Sequence, residues 1–254
     1  MKILLLIPAR MGSTRFPGKP LAPIHGVPMI GHVLAGVQGS SLVTDIAVAT
    51  CDEEIAKYVE SLGAHYVMTS DQHERASDRC AEAVIQMESQ NKEKYDIVVM
   101  VQGDEPMVTS AMVDQALEPM LRDSSILVTN LLGQISKDED FSSPNTIKVV
   151  CDNFGDALYF SRQAIPTYSP QGIVPRTKQV CVIPFRRDFL MQYAAMAPTP
   201  LEIAESIDML RVLEHGYKVR MVPTDFISIA VDTPADLERL EKTFKGHPSR
   251  NPAK

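Results

Sequence analysis

Short apolar runs alternate with helical patterns over the first 130 residues, and this alternation restricts the fold more than any other feature. The runs have strand length and are rich in β-branched residues; they are Ile3–Ile7, Ile46–Thr50, Tyr66–Thr69, Ile97–Val101 and Ile126–Leu132. Helical patterns separate them, at Pro28–Gln38, Glu53–Leu62, Arg75–Met87 and Ser110–Leu121. The alternation predicts a Rossmann-like α/β fold, with a mostly parallel sheet and helices on both faces. Ligands of such sheets collect at the carboxyl ends of the strands.

Beyond Gly133 the strands become shorter and the connections richer in polar residues and proline. A loop is predicted at Lys137–Pro144, and strands at Thr146–Cys151, Ala157–Phe160, Gln179–Phe185, Lys218–Pro223 and Phe226–Val231. A helix is predicted from a capping box at Thr199 and Glu202 to Gly216, and a last helix, capped by Thr233, at Pro234–Phe244. We expect a single domain over residues 1–254, in which an inserted β-rich arm at about 137–195 builds an acceptor pocket or a dimer contact.

Positive charge is concentrated at the start of an acidic chain. The sequence has 25 Lys and Arg against 32 Asp and Glu, a formal net charge of −7. Residues 1–44 contain no acidic residue, and their cations are Lys2, Arg10, Arg15 and Lys19. A protein that grips polymeric DNA or RNA usually carries a broad basic face, so the overall balance argues against a nucleic-acid partner. The cationic start instead predicts a local anion site.

The sequence favours a cytoplasmic protein that does not insert into membranes. Its opening has five apolar residues before Pro8, too few for the core of a signal peptide, and no later run reaches 18 apolar residues. The cysteines at 51, 80, 151 and 181 form no C-x-x-C pair. This spacing favours free thiols in a reducing compartment over a zinc site or a disulfide framework.

The loop after the first strand has the composition of a phosphate-binding loop. Residues Pro8–Pro20 read P-A-R-M-G-S-T-R-F-P-G-K-P, which is neither a Walker loop nor a G-x-G-x-x-G fingerprint. The loop offers two glycines for close backbone approach, two hydroxyls, and the cations Arg10, Arg15 and Lys19. Backbone amides and cations in such a loop hold a polyphosphate and neutralise its charge. The alternative is an ordinary basic surface loop.

Two aspartates follow predicted strands, at the edge where ligands collect. Asp104 comes after Ile97–Val101, and Asp232 comes directly after Phe226–Val231. A carboxylate at a strand end is a poor core residue and a good ligand for a cation such as Mg²⁺. Asp232 has an alternative role, because an aspartate before Thr-Pro is also suited to cap the final helix.

Five motifs occur in order along the chain. They are I-P-A-R-M-G-S-T-R-F-P-G-K-P-L at 7–21, V-Q-G-D-E-P at 101–106, A-L-Y-F-S-R at 157–162, M-L-R-V-L at 209–213 and V-D-T-P-x-D-L at 231–237. Together they resemble the CMP-Kdo synthetases, cytidylyltransferases that activate 3-deoxy sugar acids, over essentially the whole chain. The resemblance implies a nucleotide-diphospho-sugar transferase-like fold and a homodimer. It also implies the reaction of CTP with Kdo or a Kdo-like sugar acid, giving a CMP-sugar and pyrophosphate for lipopolysaccharide or capsule synthesis.

The resemblance further implies roles for individual residues. Asp104 and Asp232 would hold a catalytic Mg²⁺, and Arg10 and Lys19 would complete the catalytic set. The nucleotide would be bound by Pro8, Ala9, Arg10, Gly12, Ser13, Arg15, Lys19, Ser77, Arg79, Gln102 and Asp104. The acceptor would be bound by Gln102, Arg162, Gln179, Ile183, Glu202 and Glu205. Two alternatives stay open: Arg15 turned away from the nucleotide, and both glutamates on a solvated helix face.

The chain departs from the family pattern in two stretches. Residues 73–79 read H-E-R-A-S-D-R, with alanine in place of the usual glycine, although Ser77 and Arg79 keep the hydroxyl and the cation that lie near the base. In the sugar-acid stretch, Gln179 and Ile183 stand where Kdo-using relatives carry His and Tyr. An unpaired buried polar group costs about 1–3 kcal/mol, so this change predicts altered acceptor preference, with an amino sugar acid or another carboxylate-bearing alcohol as alternatives to Kdo.

Two other function classes fit the sequence less well. A glycosyltransferase would carry a D-x-D motif at the strand end where Gln102-Gly103-Asp104 stands. A nucleotide-sugar binding protein without catalysis would not need both Asp104 and Asp232.

Overall fold

The computed structural model describes residues 1–135, 138–167 and 175–245. The chain forms two compact units, one made of Met1–Asp114 with the chain from Ile227 onward and one made of Gln115–Phe226. The predicted arm, at about 137–195, lies within the residue range of the second unit.

The first unit contains alternating strands and helices, as predicted. Its strands are β1 (Ile3–Ala9), β2 (Pro23–Ile24), β3 (Val27–Pro28), β4 (Asp45–Thr50), β5 (His65–Met68) and β6 (Ile97–Val101). Its helices are α1 (Met29–Val37), α2 (Glu53–Ser61) and α3 (Ala76–Asn91), and a short 3-10 turn covers Lys19–Leu21. Helix α4 (Ser110–Arg122) begins in this unit and ends in the second.

The main sheet of the first unit is parallel. Its strands lie in the order β6-β1-β4-β5, and each neighbouring pair is parallel. All seven residues of the central strand β1 are buried, which is typical of a strand covered by helices on both faces. The predicted Rossmann-like α/β fold is therefore confirmed, and the carboxyl ends of these strands form one edge.

The second unit is richer in antiparallel strands. Its strands are β7 (Thr129–Gln134), β8 (Lys148–Cys151), β9 (Ala157–Ser161), β10 (Thr177–Val180), β11 (Val182–Arg186) and β12 (Arg220–Thr224). Its helices are α5 (Asp138–Ser142), α6 (Arg187–Ala194), α7 (Pro200–Glu205) and α8 (Met209–Glu214). The strands β12-β7-β10-β8-β9 form one sheet, in which only the β12–β7 pair is parallel. The predicted strand Gln179–Phe185 is wrong in extent, because Cys181 divides it into β10 and β11.

The predicted helix from Thr199 to Gly216 is also wrong in extent, because it divides into α7 and α8. The capping box of Thr199 and Glu202 is confirmed at the start of α7. Ser206 then adopts a left-handed conformation, with φ 53°. Arg162 accounts for the break, since its guanidinium donates to the carbonyls of Glu205 (2.6 Å) and Ser206 (3.2 Å) and so satisfies these groups outside a helix.

Two further predictions differ from the structure. Residues 226–231 form no strand, and the Val231 amide instead donates to the carbonyl of Asp104 (3.0 Å). The loop predicted at Lys137–Pro144 contains α5, although residue 137 lies outside the described residues. The last helix, α9 (Pro234–Thr243), begins as predicted after the cap Thr233.

Two further properties concern the helices and the cysteines. Among the described residues, none of the helices combines the length and apolar character needed to cross a lipid bilayer. All four cysteines carry free thiols.

Candidate active site

The loop after β1 is folded back on itself and attached to the neighbouring strand end. The Met11 amide donates to Asp52 Oδ2 (2.8 Å), and the Met11 carbonyl accepts from the amides of Ser13 (2.9 Å) and Gly18 (3.0 Å). Gly18 has φ 75°, a left-handed conformation that glycine adopts without strain, and it leads directly into the turn that carries Lys19. No sequence pattern indicated Asp52 here, because its partner is a backbone amide 41 positions away.

Four predicted residues meet at the carboxyl edge of the parallel sheet. Lys19 Nζ lies 2.6 Å from Asp104 Oδ2 and 3.6 Å from Asp232 Oδ1. Arg15 Nη2 lies 2.8 Å from the same Asp232 oxygen. We call Arg15, Lys19, Asp104 and Asp232 the cation–carboxylate cluster. The cluster places two cations suited to bind a triphosphate directly beside two carboxylates suited to bind a metal ion.

The final helix does not use Asp232 as its cap. Thr233 is the N-cap, and its hydroxyl accepts from the Asp236 amide (3.3 Å). The Asp236 carboxylate in turn accepts from the amides of Thr233 (2.9 Å) and Asp232 (3.2 Å). The alternative in which Asp232 caps the helix is therefore wrong, and its carboxylate faces the cluster.

The electrostatics of the cluster favour positive charge between the two aspartates. Burial raises the pKa of the Asp232 carboxyl above its usual value, and the Asp104 charge adds to this against the effect of Lys19 and Arg15. Burial works to lower the pKa of Lys19, but the charge and hydrogen bond of Asp104, helped by Asp232, outweigh it, so this pKa is raised. Lys19 is therefore an ammonium at neutral pH.

The carboxylate pair fits a Mg²⁺ ion in its chemistry. Mg²⁺ is usually held by one or two carboxylates together with waters and substrate phosphates, rather than by a full set of protein ligands. Asp104 and Asp232 supply such a pair, and no larger group of His, Cys, Asp and Glu suited to a metal occurs in the described part of the chain.

Arg10 and the stretch after β5 are linked to each other. Arg10 Nη1 donates to the His73 carbonyl (3.3 Å), and His73 Nε2 lies 2.5 Å from Glu82 Oε2 on α3. The Glu82 carboxylate also accepts from the Ser70 amide (2.9 Å). Sequence patterns missed Glu82, whose helical position carries no signal of this contact.

Arg79 is buried with part of its hydrogen-bonding capacity unused. Its side chain is 2% exposed, and Nη1 donates to the Thr69 hydroxyl (2.5 Å). Nη2 is buried and has no hydrogen-bond partner among the described residues. Buried donors in native proteins are nearly always paired with protein, water or ligand, so Nη2 is suited to a bound group. Ser77, also predicted to bind nucleotide, is buried on the same helix, α3.

The remaining predicted nucleotide residues lie around the first strand end. Pro8 and Ala9 end β1, and Gln102 follows β6. A Cβ atom at Gly103 would lie 3.1 Å from the Pro8 carbonyl, so the close approach of these two strand ends favours glycine. Gly12 lies in open space, and the Ser13 hydroxyl accepts from the Phe16 amide (3.3 Å) within the loop.

The predicted acceptor residues of the second unit are held by other protein groups. Arg162 Nη1 donates to the Pro144 carbonyl (2.8 Å), in addition to its bonds at the end of α7. The Glu205 carboxylate accepts from the Ser161 hydroxyl (2.8 Å) and the Arg162 amide (2.8 Å). Gln179 Nε2 donates to Asn130 Oδ1 (2.6 Å). The structure thus brings Arg162 and Glu205 together, in a network that fixes main chain.

Two of these acceptor assignments disagree with burial. Glu202 is fully buried and forms a two-point ion pair with Arg211, at 2.6 and 2.7 Å. Ile183 is 2% exposed in β11. Neither side chain has surface to offer a substrate, so Glu202 is neither a hydroxyl acceptor nor part of a solvated helix face. The sequence could not indicate the Glu202–Arg211 pair, because the two residues lie on different helices.

Comparison with known proteins shows the family of this chain. A family model described as cytidylyltransferase matches residues 4–221. The chain belongs to the cytidylyltransferase family. The predicted resemblance to CMP-Kdo synthetases is confirmed, and the protein is a nucleotidyltransferase.

The relatives of this cytidylyltransferase match it over nearly their whole length. It is 45% identical over 251 residues to the 3-deoxy-manno-octulosonate cytidylyltransferase of Geobacter metallireducens, covering 94% of this chain and 96% of the relative. It is 45% identical over 256 residues to the enzyme of the same name from Geotalea uraniireducens, covering 96% and 100%.

Solved structures agree with this assignment. A CMP:2-keto-3-deoxy-manno-octonic acid synthetase complexed with CTP has a TM-score of 0.85 at 36% identity, over 95% of this chain and 98% of that one. A cytidylyltransferase from Leptospira borgpetersenii, at 18% identity and a TM-score of 0.59, shares the fold.

Proposed function

We propose that this cytidylyltransferase uses Mg²⁺ to convert CTP and a 2-keto-3-deoxy sugar acid into a CMP-sugar and pyrophosphate. The observation that carries the proposal is the cation–carboxylate cluster, in which Lys19 lies 2.6 Å from Asp104 and 3.6 Å from Asp232. The names of the relatives and the CTP complex of the structural neighbour support the same pair of substrates.

The cluster and the first loop provide the groups that a nucleotidyl transfer requires. Arg10, Arg15 and Lys19 would neutralise the triphosphate, and the backbone at Gly12 and Ser13 would approach its oxygens. Because its pKa is raised, Lys19 acts as a donor and a positive charge, and not as a proton acceptor. Mg²⁺ held by Asp104 and Asp232 would stabilise charge at the α-phosphate and activate the attacking hydroxyl. The anomeric hydroxyl attacks the α-phosphorus in line, and pyrophosphate leaves beside the cationic loop.

The rest of the nucleotide site follows from the burial pattern. Arg79 Nη2 is a buried donor that needs a partner, and we assign it, with Ser77, to the nucleotide. Pro8, Ala9 and Gln102 lie at the ends of β1 and β6, and we assign Gln102 to both substrates.

We assign a Kdo-like acid as the acceptor. The surroundings of Gln179 favour an amino-substituted 2-keto-3-deoxy acid as the second candidate. The Gln179 amide nitrogen is held by Asn130, whose own amide nitrogen donates to the Val180 carbonyl (2.6 Å). This network fixes which end of the Gln179 amide donates, and it leaves the carbonyl end as an acceptor for a substrate hydroxyl or ammonium group. A histidine in that position would present a different set of donors and acceptors.

Pyrophosphate release with a panel of acceptors tests the proposal. The panel contains Kdo, amino-substituted 2-keto-3-deoxy acids and a neutral aldose as control, each with CTP and Mg²⁺. We expect release with at least one sugar acid, none with the aldose, and none when the metal is chelated. Normal CTP binding without release for any acid would overturn the catalytic proposal, and release with Kdo alone would overturn the altered acceptor.

Three further properties complete the proposal. The free thiols support action in the cytoplasm, and an activated sugar acid suits the synthesis of lipopolysaccharide or capsule. Two apolar side chains support a homodimer because they are largely exposed. Phe154 (79% exposed) lies in the turn between β8 and β9, and Leu158 (62% exposed) lies on β9. Sedimentation of the wild type and of a Phe154→Ser, Leu158→Ser variant tests this. We expect the mass of a dimer for the wild type and a lower mass for the variant; equal masses would show that this hairpin does not form the dimer contact.

A further inference from the structure

Asp232 lies in a segment that no strand holds in place. Residues 225–232 form neither helix nor strand, and α9 begins after Thr233. In a strand, regular main-chain bonds to a neighbour would fix the position of the residue that follows it. The position of Asp232 opposite Asp104 must therefore depend on other contacts.

Hydrogen bonds of Val231 and Ser228 join this segment to the loop that carries Asp104. The Val231 amide donates to the carbonyl of Asp104 (3.0 Å). Val231 directly precedes Asp232, so this bond links the main chain at the two aspartates. The Ser228 hydroxyl donates to Glu105 Oε2 in a short hydrogen bond. The second bond links two side chains. Glu105 directly follows Asp104, and Ser228 lies four residues before Asp232.

The bond between Glu105 and Ser228 is buried, and the Glu105 main chain is hydrogen-bonded on both sides. The two side chains are 3% and 4% exposed. The Glu105 main chain closes a turn, since its amide donates to the Gln102 carbonyl (3.2 Å) and its carbonyl accepts from the Val108 amide (3.0 Å). A buried carboxyl group is costly unless it is hydrogen-bonded, so the Ser228 hydroxyl stabilises Glu105 at this junction.

We propose that Glu105 and Ser228 are positioning residues, which set how closely Asp104 and Asp232 face each other and thereby the affinity of the pair for a divalent cation. The proposal rests on the assignment of Mg²⁺ to these two aspartates. The two carboxylates repel each other, and in this structure Lys19 and Arg15 offset the repulsion. When these cations turn to a triphosphate, the Glu105–Ser228 and Val231–Asp104 bonds keep the pair together. Loss of such outer contacts typically weakens metal binding about 10–100-fold.

Binding of Mn²⁺ alone, followed by electron paramagnetic resonance of the free ion, tests the proposal without turnover. We expect Ser228→Ala to weaken Mn²⁺ binding about tenfold and to raise by a similar factor the Mg²⁺ concentration for half-maximal pyrophosphate release. Ser228→Thr, which keeps a hydroxyl, should restore most of the affinity. Binding of CTP in the presence of a chelator should change less than about twofold, because the first loop is untouched.

Ser40→Ala is the matched control, because the Ser40 hydroxyl also donates to a carboxylate, that of Asp114. It should leave Mn²⁺ binding unchanged. Should Ser228→Ala fail to fold, Glu105→Gln replaces it, with weaker Mn²⁺ binding expected because a neutral acceptor bonds less strongly. Wild-type Mn²⁺ affinity in the folded variant would overturn the proposal. Wild-type affinity in Asp104→Asn would instead overturn the metal assignment itself, so the two failures are distinguishable.

Discussion

The charged side chains of the cluster in the first unit and those buried in the second unit differ in exposure and in the partners that hold them. In the first unit, the cations of the cluster face carboxylates: Lys19 and Arg15 pair with Asp104 and Asp232, with side chains that keep 14–46% exposure. In the second unit, buried charged groups have several fixed partners: Lys148 Nζ donates to the carbonyls of Ser143 (2.7 Å), Thr146 (2.6 Å) and Arg162 (2.5 Å), and Arg211 forms a two-point pair with Glu202.

This difference separates residues that are able to change partners from residues that hold the fold. A partly exposed ammonium that leaves a carboxylate for a phosphate exchanges one anionic partner for another. A buried cation that leaves three carbonyls would strand all of them without partners. We therefore expect substitutions in the cluster to affect turnover and substitutions in the second-unit networks to affect stability.

The largest expected effect is on turnover, for Asp104→Asn. The substitution keeps the size of the side chain but removes the charge that faces Lys19 and that would bind the proposed Mg²⁺. Several kcal/mol of charge stabilisation would be lost, so kcat should fall by about three orders of magnitude while the urea unfolding midpoint stays close to that of the wild type. Steady-state pyrophosphate release and circular dichroism measure the two quantities.

Asp188→Asn is the control for this change. Asp188 is a largely exposed aspartate of α6, and its replacement should leave kcat unaltered. A fully active Asp104→Asn enzyme would contradict the role given to Asp104. An Asp104→Asn protein that unfolds would show that the cluster is needed for stability, as the networks of the second unit are.

The next effect is on stability, for Glu202→Gln. This change leaves the Arg211 guanidinium buried without its ionic partner, and breaking a buried ion pair costs about 3–5 kcal/mol. The free energy of unfolding in urea should fall by this amount. The double variant Glu202→Leu, Arg211→Met should recover much of the loss, because it removes both charges together.

Glu53→Gln offers the matched surface comparison. Glu53 pairs with Lys57 on an exposed face of α2, where such a pair is worth less than about 1 kcal/mol. An equally small loss in Glu202→Gln would contradict the contrast between the two units.

How much the sequence could predict depends on whether a contact follows from a local pattern. Asp104 and the cations of the first loop were predictable, because strand ends and a stretch without acidic residues are visible as local patterns. The Asp52 and Glu82 contacts were not, since each links a side chain to a distant loop. The apolar run 226–231 looked like a strand, but only tertiary contacts decide whether a run finds a partner, and Ile227 is largely exposed instead.

A smaller effect concerns acceptor choice, for Gln179→His. Histidine would lose the hydrogen bond that the Gln179 amide donates to Asn130 and would introduce the ring that the resemblance to Kdo-using enzymes implies here. We therefore expect kcat/KM for Kdo to rise relative to an amino sugar acid by about tenfold. Competition between the two acids in one reaction measures the ratio directly. Lys178→Gln, at the neighbouring residue of β10, is the control and should leave the ratio unchanged. An unaltered ratio in Gln179→His would remove this residue from acceptor selection.

The smallest effect is a pH dependence of stability that belongs to Lys148. Burial, with the nearby Arg162 charge, lowers the pKa of Lys148 to about 8, against about 10.4 in an unfolded chain. Between these values the unfolded chain binds more protons than the folded one, so stability from this group rises with pH and is lost as the pH falls towards 8. The difference in unfolding free energy between wild type and Lys148→Met should therefore grow by about 1 kcal/mol per pH unit from pH 8 to pH 10.

Tyr95, whose pKa is raised to about 12, titrates in both proteins and cancels from this difference. Lys57→Met, at an exposed site, should give a flat difference, and an equally flat one for Lys148→Met would show that its three carbonyl contacts hold the charged form without penalty.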